Sequence, residues 1–235
     1  MPDRNQGATM DYENVTAVVG NKKNLVFIGE AGCGKTEASL NFAVALSTGN
    51  RPVHFFDMDQ TKPLFRARDS AKILESAGVI VHYQAQLLDL PTLVPAVNEI
   101  LADSGVHVIM DVGGSDQGAR MIAQFNARLN AADAAAIFII NPYRPWTGDP
   151  DGIAAATARV SRSSRIGSVR IACNPALGLG TTAEEAVLGS RKFTELLGTP
   201  PDFTMAREEI APYVAAQVRE PVIPLHIFIR YPWQI

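Results

Sequence analysis

Cysteine is scarce in this 235-residue chain: there are two, Cys33 and Cys173, far apart and in no C-x-x-C pair. A disulfide framework and a four-cysteine zinc site within one chain are thereby excluded. Cys33 lies in a glycine-rich turn, where a thiol serves as a small residue, and Cys173 ends an apolar run as a buried hydrophobe. Long hydrophobic runs are missing as well. With no N-terminal leader core and no stretch approaching the ~20 apolar residues of a membrane span, the chain reads as soluble and cytoplasmic. Charge of one sign is not concentrated either: the net charge is −3 and no long Lys/Arg cluster stands out, so nothing favours a nucleic-acid platform. The histidines, His54, His82, His107 and His226, are scattered through strand-like runs without H-E-x-x-H or comparable ligand spacing, and read as structural.

What is present is material for a core: 47% of residues are hydrophobic and 19% charged. Short apolar runs at 24–29, 52–57, 79–83, 106–111, 134–140, 167–173, 203–206 and 222–229 read as strands. Helical patterns near 34–47, 63–77, 92–103, 116–130, 150–162, 182–197 and 207–217 lie between them. Runs such as Val106-His107-Val108-Ile109-Met110 and Ala136-Ile137-Phe138-Ile139-Ile140 suit strands covered on both faces. The alternation predicts an α/β fold with a doubly wound, mostly parallel sheet flanked by helices. The polar, mixed residues 1–20 read as a flexible lead-in and 21–235 as a single domain.

The segment Gly29-Glu30-Ala31-Gly32-Cys33-Gly34-Lys35-Thr36 fits G-x-x-x-x-G-K-[ST] at every fixed position. The apolar run Asn24–Ile28 enters it and the helical run Glu37–Leu46 leaves it, the context that a phosphate-binding loop needs. Glycines let successive backbone N–H groups turn inward onto an anion, and the helix adds its positive end to the same spot. Lys35 is expected to reach the β/γ-phosphates and Thr36 to hold Mg²⁺ through its hydroxyl.

In an open α/β sheet, ligands sit beyond the carboxyl ends of the strands, so the polar residues there are the other candidates. The second strand runs into Asp57-Met58-Asp59-Gln60, two carboxylates suited to orienting Mg²⁺ or an attacking water, or to capping local N–H groups. The fourth ends in Asp111-Val112-Gly113-Gly114, where Asp111 would hold Mg²⁺ and the backbone N–H of Gly114 would sense a γ-phosphate. The sixth ends in Asn174-Pro175, an amide fit for a purine edge or simply a turn opener.

Together these segments resemble, over residues 24–175, the SIMIBI class of P-loop nucleotide hydrolases. That class includes the nitrogenase iron protein, the partitioning and septum-positioning ATPases, the metal-centre maturation ATPases, dethiobiotin synthetase and the signal-recognition GTPases. The resemblance implies that Asp59 positions the attacking water and acts with Lys35 in catalysis, that Asp57 stands near Mg²⁺ with Thr36 and Asp111, that Asp111–Gly114 form a switch, and that Asn174 contacts the base. Many dimeric ATPases of the class carry a second lysine early in the loop; here that position is Glu30. Lys62, Arg66 and Arg68 are candidates to supply the missing charge. The cysteines that bridge the iron protein's cluster have no counterpart.

The resemblance implies a Mg²⁺-dependent ATPase of switch type that controls a client protein, first guess a metalloenzyme or cofactor-assembly partner, with a homodimer as the expected assembly. Two other readings stay open: a small-molecule kinase or ligase of dethiobiotin-synthetase type, and a non-catalytic nucleotide-binding regulator. The absence of Asn-Lys-x-Asp favours ATP over GTP.

Overall fold

A strand buried on both faces needs apolar side chains at nearly every position, and three such runs lie side by side in the middle of one sheet. A computed structural model describes residues 10–59, 71–83 and 93–229. Its strands are β1 (Asn24–Gly29), β2 (Val53–Met58), β3 (Ile80–Tyr83), β4 (His107–Val112), β5 (Ala134–Ile140), β6 (Arg170–Cys173), β7 (Phe203–Arg207) and β8 (Val222–Leu225). They lie in the order β3-β2-β4-β1-β5-β6-β7-β8, with every neighbouring pair parallel. The doubly wound sheet expected from the alternation is what the chain forms.

Period-two alternation sends each strand's side chains into two cores. Leu25 and Phe27 of β1, Ile109 of β4 and Ile137 and Ile139 of β5 face one core. Val26 and Ile28, Val108 and Met110, and Phe138 and Ile140 face the other. The first core is covered by α1 (Tyr12–Val19) and α2 (Lys35–Ser47). The second is covered by α3 (Leu93–Ala102), α4 (Asp116–Ile122), α5 (Asn126–Leu129), α6 (Pro150–Ser164) and α7 (Ala183–Leu197). A short α8 (Ala211–Ala215) packs beside β7 and β8.

Chain order reverses at β1, with β4, β2 and β3 on one side and β5 to β8 on the other. The helix leaving β1 covers one face and the helix leaving β4 covers the other. A crevice therefore opens at the carboxyl ends of β1, β4 and β5, where such folds place ligands. Among the described residues, no helix is long and apolar enough to cross a membrane.

Several elements differ from the sequence reading. Within the supposed lead-in, α1 is a helix with a capping box between Asp11 and Asn14, and Val15, Val18 and Val19 are buried against the first core. Its i, i+3, i+4 spacing is what drives that burial; residues 1–9 lie outside the described residues. The helix expected over 63–77 is described only at 71–76. The pattern at 116–130 breaks into α4, a 3₁₀ turn (Ala123–Phe125) and α5, and the tighter turn brings both Phe125 and Leu129 into the core. The pattern at 207–217 gives a helix only over α8, because Arg207 completes β7. The run at 222–229 leaves the sheet after Leu225, for a reason that lies on α2.

Candidate functional site

The loop Gly29–Thr36 joins β1 to α2 at the reversal point. Gly34 has φ +100°, a left-handed conformation that side chains resist, and a Cβ there would lie 2.2 Å from the Asn174 amide nitrogen. Lys35 is 6% exposed despite its charge. Its ammonium donates to the Glu30 carbonyl at 2.7 Å and so closes the loop from residue 30 to residue 35. Cys33 is buried, with Sγ 3.8 Å from that ammonium, and burial pushes its thiol above the ordinary range, which keeps it protonated and inert.

Across the loop, the Thr36 hydroxyl donates to Asp111 Oδ2 at 2.7 Å. Asp111 is fully buried at the end of β4, and it is in register with Asp57 on β2. Asp57 Oδ1 accepts the Asp59 backbone N–H at 3.2 Å, the local turn that a strand-ending aspartate favours. Asp59 lies against Gly113, where a Cβ would meet its Oδ1 at 2.8 Å. Gly114 presses onto the phosphate loop so closely that a Cβ would stand 2.6 Å from Ala31 N and 2.8 Å from Ala31 Cα. The residue expected to sense a γ-phosphate therefore touches the loop expected to hold it.

The donor set of Thr36, Asp57 and Asp111 is all oxygen, without sulfur or imidazole, and fits a hard cation such as Mg²⁺. Among the described residues, no group of three or more His, Cys, Asp or Glu side chains is gathered to hold a metal by itself.

These elements line a cleft of about 400 Å³. Its polar end carries Gly32, Gly34, Lys35, Thr36, Asp59 and Gly114. The remaining lining is mostly apolar, with Met205, Ala206, Ile210, Leu225, Ile227 and Ile229 beside Arg207 and Thr181.

Two expected residues are turned elsewhere. Glu30, 9% exposed, forms an ion pair with Arg159 on α6, whose Nε also lies 3.3 Å from Asp116 Oδ1 on α4. The acid in place of a second loop lysine is thus neutralised from within the chain. Asn174 lines the cleft, but its amide nitrogen donates to the Cys33 carbonyl at 2.8 Å, so that donor braces the loop. Lys62, Arg66 and Arg68 lie outside the described residues.

The sequence reading missed several participants. Arg144 in the turn after β5 lines the cleft and donates from Nε to the Gly32 carbonyl at 3.2 Å. Arg207 lines it from the end of β7 and donates to the Thr181 carbonyl at 2.9 Å. Glu37 and Asn41, one turn apart on α2, grip the segment after β8. Their signal was present: Glu37 and Asn41 are polar residues four apart on a helix whose middle otherwise carries Leu40, Phe42, Ala43 and Val44.

Structures with the same fold exist among solved proteins. Cell division protein FtsY from Thermotoga maritima matches with a TM-score of 0.54 at 15% identity, covering 89% of this chain and 76% of that one. FtsY from Mycoplasma mycoides matches with a TM-score of 0.51 at 16% identity, covering 85% and 68%. The 54 kDa signal recognition particle protein from Aeropyrum pernix K1, solved with GDP, matches with a TM-score of 0.48 at 17% identity; the match covers 78% of this chain and only 41% of that one. At these identities the likeness is one of fold alone, a parallel α/β sheet flanked by helices. No protein-family model and no curated protein matches the chain.

Proposed function

We propose that this protein is a Mg²⁺-dependent nucleoside-triphosphate switch that binds and hydrolyses ATP to control a partner protein. The observation that carries the reading is convergence: Lys35, Thr36 with its partner Asp111, and Gly114 are brought to one cleft from two separate segments, the loop after β1 and the end of β4. A glycine-rich turn that merely joined strand to helix would need neither the Thr36–Asp111 hydrogen bond nor a glycine pressed against Ala31.

The residues divide the work by chemistry. Backbone N–H groups of residues 31–36 and the α2 N-terminus receive the β-phosphate. Lys35 exchanges the Glu30 carbonyl for phosphate oxygens, so that a bound tail replaces the tie that closes the loop. Mg²⁺, held through Thr36 and Asp111, supplies neutralisation of the phosphate charge. Asp59 orients the attacking water, its carboxylate placed by contact with Gly113. A γ-phosphate displaces or draws in Gly114, and the segment leading to α4 follows; after hydrolysis it relaxes, and a partner reads the change.

Adenine is favoured over guanine on the chemistry of the cleft. Guanine presents N1–H and N2–H donors, which a carboxylate accepts more strongly than a neutral oxygen does. Among the described lining residues the acids are Glu37 and Asp59. The first is occupied by backbone amides and the second belongs to the phosphate end. The Glu30–Arg159 pair favours a catalytic unit complete within one chain over one that needs a partner's loop lysine.

Competition of unlabelled ATP and GTP against a fluorescent ATP analogue, with phosphate release measured on the same samples, tests the proposal. ATP-preferring binding with slow, Mg²⁺-dependent turnover is expected. Turnover that appears only with a small-molecule phosphate acceptor would move the assignment to a kinase or ligase. Binding with no turnover under any condition would make the protein a regulator.

A further inference from the structure

The strand-like apolar run continues past β8 through Ile227, Phe228 and Ile229, yet the strand stops at Leu225. The cause is a pair of side chains on α2. Asn41 takes both backbone groups of His226, its Oδ1 accepting the N–H at 2.8 Å and its Nδ2 donating to the carbonyl at 2.9 Å. One turn earlier, Glu37 accepts the N–H of Phe228 at 2.6 Å and that of Ile229 at 3.3 Å. Backbone that would have continued a sheet ladder is instead paired with a helix surface. His226 adds a contact to Glu208 at 2.8 Å, which ties the start of the segment to the end of β7.

The consequence falls on the cleft. Glu37 directly follows Thr36, so the captured segment runs beside the first turn of the phosphate-loop helix. Ile227 and Ile229, two residues apart, both line the cleft; Ile229 also packs on the first core, as does Phe228, whose ring lies edge-on to His226 at 4.8 Å. With Met205, Ala206, Ile210 and Leu225, the two isoleucines make the apolar part of a cavity that the phosphate loop also lines.

We infer that the segment 226–229 is the wall against which a purine base packs, and that Glu37 and Asn41 are positioning residues that seat this wall beside the phosphate loop. The inference rests on the nucleotide reading of the cleft and adds how the base is held. A nucleoside triphosphate with its tail on the loop directs its flat, largely apolar face to the rest of the cleft, and that lining offers aliphatic contact area. The Asn174 amide nitrogen, spent on the Cys33 carbonyl, leaves contact with this wall as a main source of base affinity.

Calorimetry with two probes separates the wall from the loop: Mg·ATP, and Mg·tripolyphosphate, which has the tail without the base. Ile227→Ala and Ile229→Ala are each expected to weaken ATP by roughly tenfold, from the loss of buried aliphatic area, with tripolyphosphate unchanged. Asn41→Ala, which lies outside the cleft lining and acts only through the segment it seats, is expected to show the same split, which general destabilisation would not produce. Unchanged tripolyphosphate binding also certifies that each variant is folded. ATP affinity within twofold of wild type in both isoleucine variants would overturn the inference and leave the nucleotide reading standing. Wild-type protein that binds neither probe would overturn both.

Discussion

Replacing Glu37 by glutamine should change how stability responds to pH. The Glu37 carboxyl is pushed up from 4.5 to about 7, first by burial; the Phe228 and Ile229 amides and the nearby His226 pull it down without prevailing. The charged groups facing it are His226 and, through that ring, Glu208. Because the folded-state value lies above the unfolded one, the native state holds the extra proton between pH 4.5 and about 7. Its contribution to stability is full below pH 4.5 and is lost as pH rises to about 7. That displacement corresponds to a ceiling of about 3 kcal/mol, and partial solvent access at the site brings the expectation to about 1–2 kcal/mol. Urea denaturation of wild type and Glu37→Gln at half-unit steps from pH 4.5 to 8 measures it. The difference between the two proteins cancels the other titrating groups. It should shift by about 1–2 kcal/mol against the wild type as pH rises to about 7 and then level off. Parallel curves through that window would refute the reasoning.

Other perturbations bear on separate contacts. Gly114→Ala places a methyl against the Ala31 backbone at 2.6 Å, which backbone movement must relieve, so nucleotide affinity should fall at least tenfold in fluorescence titration at a stability cost of about 1–3 kcal/mol. Arg159→Ala strips the partner from Glu30; since the arginine side chain is 45% exposed, denaturation should register a loss of about 1–2 kcal/mol, less than for a fully enclosed pair, and Arg159→Ala with Glu30→Gln together should recover most of it. Asp111→Asn keeps an acceptor for the Thr36 hydroxyl but removes charge from the oxygen donor set, so ATP affinity should lose most of its dependence on Mg²⁺ in titrations with and without EDTA.

Much of the fold was legible because its information is local. The strands β1, β4 and β5 are buried on both faces, so most of their residues are apolar, and α2 follows a loop whose glycines and lysine carry their own signature. The helix α1 was also written in the chain, as an Asp11 cap followed by valines at helical spacing, but its polar neighbours hid it. What escaped depends on contacts between distant residues. Nothing near Ile227 shows that Glu37, 191 residues before Phe228, takes over its backbone pairing. Nothing near Glu30 points to Arg159, 129 residues later. Asn174 was read by its place at a strand end, which is right; its amide nitrogen braces the phosphate loop because Gly34 has no side chain to keep it away.

The account stands on a phosphate-gripping turn between β1 and α2. Titration calorimetry of Mg·ATP and Mg·GTP into wild-type protein and Lys35→Ala tests it most directly. Saturable binding to wild type, tighter for ATP and at least a hundredfold weaker without the lysine ammonium, is the expected result. No binding of either nucleotide, or equal binding with and without Lys35, would contradict the account.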